Sequence, residues 1–440
     1  MNRNLPQTGA IGKGSTSSYG PTVGTVTNQI QYGSMNIAHG AHPSSRSHQI
    51  PPERTLNSRP SKFDRVEVTS PVLRRNSVQR ALTDNTTIRT RLSSQDRTSL
   101  VYYPSAFVIS IESKLMHGGL TGLANLGNTC FMNSVLQCLS NTKPLLLFCF
   151  DDNLESSLNS STTSVMKGVL MKEFATLIRR MWSSTESRSI VSPSQFKNQI
   201  ARFAPRFTGY YEQDSQEFLR YLLQGLHEDV NRVKKKSTPT KIDEKAEEQM
   251  HEKNRAKLSW DRYLSTDNSM IVEIFVGQLK STLECCYCGY QSITFDPFWD
   301  LSVPLPRNKS TSTLQQCIQL FMSKEELDGN EKAMCAKCKQ KRRCTKKFSI
   351  QKCPEILVLH LKRFSQSRGR TKLNTMIDFP ITDLRLNDLT DVLSESYEGP
   401  APVYSLFGVS NHSGTPYTGH YTAACKHPFQ SKWHEFNDSR

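Results

Sequence analysis

The sequence predicts an α+β fold with helices first and strands after. Residues 128–230 repeat apolar side chains at helical spacing. Beyond Ser259 the pattern changes to short β-branched or aromatic runs bounded by Gly, Pro, Asn or Ser. Residues 1–115 sustain no apolar period, so the ordered part follows them. A chain of 440 residues still has ample length for one large core after such a tail.

The tail is crowded with Ser, Thr, Asn, Arg and Pro. It carries fourteen Lys/Arg against six Asp/Glu, which is half of the chain's net charge of +16. A basic balance suits nucleic acid or an anionic membrane surface, but these Arg residues are scattered with little aromatic interleaving. The expectation is a solvated tail open to regulatory partners. Arg74-Arg75-Asn76-Ser77 fits a basophilic kinase, because a phosphate on Ser77 pairs with two guanidinium groups. No apolar run approaches a membrane span, and no apolar signal core opens the chain. The expected location is a reducing compartment, the cytoplasm with the nucleus as a second site, where disulfides are rare.

Order is expected to begin near Gly118-Gly119-Leu120. Phe131, Val135 and Leu139 recur every four residues, so the first helix covers about 128–140. Leu170, Phe174, Leu177, Ile178 and Met181 set a second over about 165–182. A third, over 193–203, opens on Ser192-Pro193, a cap followed by proline in the first turn. The clearest helix covers 214–230: Asp214 caps it, Glu217 stands three residues on, and Phe218, Leu222 and Leu226 form its stripe. Residues 234–258, with Lys234-Lys235-Lys236, are almost all charged or polar and read as either a solvated helix or a loose connector. Residues 272–276, 356–361, 403–409 and 421–424 read as strands.

All twelve Cys fall from residue 130 onward, where they serve packing, metal or catalysis. Cys285 with Cys288, and Cys335 with Cys338, form two C-x-x-C pairs separated by 46 residues. Two such pairs place four thiolates tetrahedrally around zinc as a closed structural site. Turn residues follow each pair (Gly289; Lys339-Gln340), as knuckles at hairpin ends require. The separation exceeds that of a short zinc ribbon, so long strands have to converge at their tips. The alternative is buried free thiols. Cys286 and Cys344 lack the two-residue spacing to a partner across both pairs.

Cys130 opens the first helix, where the macrodipole favours an anion and a thiolate is the nucleophilic form. Asn125 stands five residues earlier, on a loop that must double back over the helix start, so its amide can donate to an oxyanion. The base has to come from a distant part of the chain. His360 sits inside an apolar run and reads as a strand residue satisfied by its neighbours. His412, His427 and His434 read as loop or surface residues. His420 differs, because Gly419 gives close backbone access and a strand ending in Asn437 follows. That amide can hold the imidazole in one tautomer, the third role of a triad.

Residues 122–134, Gly-Leu-Ala-Asn-Leu-Gly-Asn-Thr-Cys-Phe-Met-Asn-Ser, resemble the Cys box of the ubiquitin-specific peptidases. Tyr417 through Ala423 together with Trp433 through Asp438 resemble their His box. Gln213-Asp214-Ser215-Gln216-Glu217-Phe218 is similar to the family's QD motif, and Leu359 through Phe364 to another shared strand. The likeness covers roughly 118–440. It implies a papain-like cysteine peptidase with a helical thumb, a strand-rich palm and zinc-bearing fingers. The catalytic domain would cover 116–440, with fingers over about 277–350.

The resemblance assigns Cys130 as nucleophile, His420 as general base and acid, Asn437 as the residue orienting the imidazole, and Asn125 as oxyanion donor. Asp438 becomes a further polar helper near the oxyanion. Asp214, in the QD motif with Gln213, matches the acid that meets the arginine-bearing tail of ubiquitin. Tyr417 and Gly419 would line the narrow channel for its Gly-Gly end. Cys285, Cys288, Cys335 and Cys338 would hold structural zinc. The implied partners are ubiquitin and ubiquitinated proteins, with no nucleic acid and no membrane span. Relatives continue past residue 438 through more strand, so this chain reads as lacking that strand. A weakly active or inactive ubiquitin-binding protein of the same fold is therefore the rival expectation. A zinc-containing nucleic-acid module is a third, against which the lack of a basic-aromatic stripe argues.

Overall fold

In the computed structural model the chain divides into two units, Met1–Arg89 and Thr90–Arg440. The structure describes residues 105–183, 189–235, 244–307, 309–364 and 371–440, all within the second unit. Arg74, Arg75 and Ser77 lie outside the described residues. Helix α1 (Ser105–Leu115) lies inside the segment read as tail and starts regular structure upstream of Gly118. Its Ile111 and Leu115 join the main core, a contact that one apolar pair four residues apart does not advertise.

The helical layer is α2 (Cys130–Ser140), α3 (Lys143–Cys149), α4 (Val169–Ser183), α5 (Ser194–Phe203) and α6 (Ser215–Asp229). Phe131 of α2 meets Phe218 of α6 edge-on at 5.5 Å, and Phe174, Phe196, Leu222 and Leu226 fill the space around them. Each such side chain contributes about 1.5–3 kcal/mol of burial. Nearly all of α2 is buried, including its polar residues, so it is the axis of this layer. Asp214 caps α6, accepting from the N–H groups of Gln216 (2.8 Å) and Glu217 (3.4 Å). Glu217 does not reciprocate; it pairs with Arg206. Pro193 itself occupies the cap position of α5, and Ser192 does not cap it.

The charged stretch resolves into α7 (Glu244–Glu248) and α8 (Glu252–Thr266), a solvated helix whose one fully buried residue is Ala256. Residues 272–276, expected as a strand, form instead the end of helix α9 (Met270–Phe275) and its extended C-cap, Val276. Ser269 caps α9 by accepting from Val272 N–H at 3.1 Å. A short apolar run buried on every side has no period with which to declare itself helix or strand.

The strand region starts from a small parallel pair, β1 (Gly122–Leu123) and β2 (Ile190–Val191), that anchors the layer's first loop. A four-stranded antiparallel sheet follows: β3 (Gly277–Cys285), β4 (Gln291–Phe298), β7 (Glu325–Leu327) and β10 (Cys344–Lys352), in the order β4-β3-β10-β7. Between these come β5 (Leu301–Val303), β6 (Thr311–Thr313), α10 (Leu314–Met322) and a small hairpin, β8 (Ala333–Cys335) with β9 (Gln340–Arg342). β11 (Leu359–Leu361) runs parallel to β5, and β12 (Met376–Asp378) parallel to β6. β13 (Leu384–Arg385) pairs with β14 (Val403–Tyr404). Leu279, Leu301, Val303, Ile318 and Ile350 form a second core beneath them. The last sheet is β15 (Gly408–Gly414), β16 (Gly419–Lys426) and β17 (Trp433–Phe436), with β16 central. α2 lies against β16, which sets the start of the helix beside the start of the strand.

Candidate active site

One side chain folds the loop ahead of α2. Asn125 Oδ1 accepts from the N–H groups of Gly127 (2.9 Å) and Thr129 (3.1 Å), and Leu126 N–H donates to Thr129 Oγ1 (2.9 Å). Gly127 takes φ +100°, and a Cβ there would stand 2.8 Å from the Tyr210 ring, so both conformation and space require glycine. The loop delivers Cys130, 4% exposed, as the first residue of α2.

The opposite wall is β16. The Cys130 thiol is near enough to the Tyr421 N–H to feel it, and His420 is the next residue back along the strand. His420 Nε2 and Asn437 Oδ1 are 2.8 Å apart. An amide oxygen only accepts, so Nε2 carries the proton and Nδ1 is left with a free lone pair. Asp438, at φ +47°, clips the two walls together. Its Oδ1 accepts from Asn133 Nδ2 (2.8 Å), its Oδ2 from Asn125 Nδ2 (2.9 Å), and its carbonyl from Leu123 N–H (2.7 Å). Oδ2 also lies 4.0 Å from His420 Nε2. Cys130, His420, Asn437, Asn125 and Asp438 are therefore brought together by contacts between the two ends of the domain.

Burial pushes the Cys130 thiol up, and the Asp438 and Glu212 carboxylates add to the effect. The Tyr421 and Phe131 N–H groups pull the other way without prevailing.

Asp214 lies on the same floor, close enough to act on Tyr421 and His360. Gln213 turns its amide to the Arg206 carbonyl at 3.5 Å. Tyr417 is 64% exposed on the connection between β15 and β16. A Cβ at Gly419 would stand 2.2 Å from His412 Nε2, so only glycine fits. Three further residues escaped the sequence reading of roles. Asn133 holds Asp438, Asn128 Nδ2 donates to the Tyr210 carbonyl (2.7 Å), and Glu212 Oε2 accepts from Gly419 N–H (2.8 Å). The segment from Tyr210 to Glu212 thus reaches both the Cys130 loop and the His420 strand. Adjacency to Gln213-Asp214 was the one signal available for Glu212.

His360 is a strand residue, as read from its apolar run, and its Nδ1 is paired with Ser302 while Nε2 has no partner among the described residues. Of the other three histidines His427 does lie on a loop, after β16, but it is buried, and His412 and His434 stand on strands. His427 is buried against Trp182, donating from Nε2 to the Gly118 carbonyl at 3.1 Å while Nδ1 accepts from the N–H groups of Phe429 and Gln430. His412 is half-buried on β15 with its ring against Tyr421, and His434 is half-buried on β17.

Away from the cleft, the Sγ atoms of Cys285, Cys288, Cys335 and Cys338 all lie within 4.8 Å of one another. Cys285 ends β3 and Cys335 ends β8, and each pair closes a turn through Gly289 N–H to Cys285 O and Lys339 N–H to Cys335 O. Neighbouring N–H groups, first that of Cys288, pull Cys285 down to about 6. Four converging sulfurs of this kind can hold a metal ion, and the donor set is that of a closed tetrahedral thiolate site. Cys286 is exposed and Cys344 is buried beside the cluster; neither belongs to the four.

Residues 121–440 match the family model described as ubiquitin carboxyl-terminal hydrolase, and the chain belongs to that family. It is 51% identical over 325 residues to ubiquitin carboxyl-terminal hydrolase 2 of Rattus norvegicus, covering 73% of this chain and 50% of that protein. Against the same-named protein of Gallus gallus the identity is 52% over 333 residues, covering 75% of this chain and 89% of the other. The chain thus spans about half the length of the rat relative. Among solved structures it is similar to the SAGA Ubp8/Sgf11/Sus1/Sgf73 DUB module bound to ubiquitin aldehyde. That match has a TM-score of 0.55 and 25% identity, covering 74% of this chain and 66% of the other. The expected α+β arrangement of helical thumb, strand-rich palm and fingers is the one present.

Proposed function

We propose that the chain is a deubiquitinating thiol peptidase that hydrolyses the bond after the C-terminal Gly of ubiquitin. The observation that carries this reading is the 2.8 Å His420–Asn437 pair beside a cysteine at a helix start, in a chain of this family. His420 Nδ1 takes the Cys130 proton, and the thiolate attacks the glycine carbonyl. Asn125 has a second amide hydrogen beyond the one given to Asp438, and with the Cys130 N–H it stabilises the oxyanion. His420 then protonates the departing amine, and water, deprotonated by the same imidazole, hydrolyses the thioester.

Asp214, with Gln213, Tyr417 and Gly419 nearby, receives the basic tail of ubiquitin, since a cationic peptide needs an anion in an otherwise basic protein. The four fingers cysteines hold zinc, which stabilises the fold there when bound and takes no part in the reaction. Ubiquitinated proteins are the substrates, the basic tail carries regulatory contacts, and the cytoplasm, with the nucleus second, is the compartment. Among the described residues no helix is long and apolar enough to cross a membrane. A ubiquitin–vinyl electrophile tests the reading: it should label Cys130 covalently and fail on C130A. A wild-type chain that binds ubiquitin and is never labelled would overturn it.

A further inference from the structure

Behind Asp214 runs a line of buried polar groups that the reaction above does not use. The Asp300 side chain is 2% exposed. Its Oδ2 accepts from Gln216 Nε2 (3.1 Å), in the first turn of α6, and from Ser302 Oγ (3.0 Å). Arg220 stands 3.4 Å from Oδ1. Ser302 Oγ is also 2.9 Å from His360 Nδ1, across the β5–β11 register that pairs the two residues. The single hydroxyl hydrogen of Ser302 goes to Asp300, so the oxygen can only accept from His360. Nδ1 therefore carries the ring proton, and Nε2 presents a lone pair.

Burial pushes the His360 imidazole down, while Asp214 and Asp300 pull it up and Lys362 adds to the lowering. Burial prevails, and the ring is neutral at physiological pH. Nε2 makes no hydrogen bond among the described residues and yet is not a buried atom, so it opens to solvent. The Asp214 carboxylate is close enough to act on this ring and also on Tyr421, which neighbours Cys130. Gln216 ties this network to the substrate carboxylate, its N–H donating to Asp214 (2.8 Å) and its side-chain amide to Asp300 (3.1 Å), so an oriented, unoccupied acceptor belongs to the same hydrogen-bonded group as Asp214.

We propose that His360 is a specificity-determining residue for that tail: its Nε2 accepts a hydrogen bond from an N–H donor of the peptide held by Asp214. Asp300 and Ser302 are positioning residues that keep the ring in the accepting tautomer. The inference rests on the reading of Asp214 given above.

An Asn side chain places its amide where Nδ1 stands, and a Gln side chain where Nε2 stands, so H360N and H360Q separate the two nitrogens. Both are compared with wild type in the full chain, using a ubiquitin–fluorophore conjugate. H360N should raise KM about tenfold with kcat within about twofold, the worth of one hydrogen bond to a charged or oriented donor. H360Q, whose carbonyl can stand in for Nε2, should restore most of KM. Wild-type KM in H360N overturns the proposal, and so does H360Q being as impaired as H360N, which would mean packing alone. S302A keeps His360 but frees its tautomer; it should raise KM too, and no change sinks the positioning role. It also decides the matter if H360N does not fold, as judged by circular dichroism. D214N separates the two readings: unchanged KM there removes the Asp214 assignment itself, whatever His360 does.

Discussion

The cleft and the finger tips use the same functional group in opposite ways. Cys285 sits in a tight turn whose N–H groups pull its thiol down to about 6, while the neighbouring Cys288 thiol pushes Cys338 up. Cys130 is buried near two carboxylates and its thiol is pushed up. The difference lies in the surroundings and not in the residue: N–H groups make a binding thiolate, while burial and anions hold a thiol in reserve. A thiol held in reserve, as Cys130 is, ionises most readily when a positive charge arrives beside it.

The sharpest way to break this comparison is to remove each sulfur. C130A should lose turnover by about a million-fold, as for nucleophiles of other triads, while ubiquitin binding measured by calorimetry persists. C335S with C338S should abolish stoichiometric zinc in the metal assay, forfeiting coordination on the order of 10 kcal/mol. Hydrogen exchange should then speed up around Cys285 and Cys288, yet Cys130 should still react with iodoacetamide, because the two regions have separate cores. N125A should lower kcat by about 10²–10³ with KM little changed, since its second amide hydrogen acts on the oxyanion.

The smallest effect tests the electrostatic half of the comparison. A raised thiol pKa means little thiolate at neutral pH and an alkylation rate that climbs as pH rises through the alkaline range. D438N removes an anion, so the thiol pKa falls and the whole profile moves to lower pH, by about one unit or less. A profile that stays in place would leave burial and Glu212 as the causes.

What the sequence disclosed follows the range of the forces involved. α4 and α6 were legible because an amphipathic stripe is written within one element, and the Asp214 cap because it acts on residues two and three positions on. α9 was misread because a helix buried all round has no stripe. The juxtaposition of Cys130, His420 and Asn437 was legible through motifs of the right residue types. Glu212, Asn128 and Asn133 were not, since their partners lie 207, 82 and 305 residues away. His427 looked like a surface residue because Trp182, which covers it, is remote in sequence.

The Asp438 clip has a kinetic meaning. Its bond to Asn125 closes 313 residues of chain, and that to Asn133 closes 305. Contacts of such separation carry the largest loop-closure entropy, so they form late in folding, after the helical layer has condensed. The same economy runs in reverse under mild denaturant: the clip, at the edge of the domain's last turn and held by a few polar bonds, opens at a lower free energy than the core. The proposed peptidase activity should therefore vanish before helical circular dichroism does, and its loss would report the opening of the clip ahead of the core.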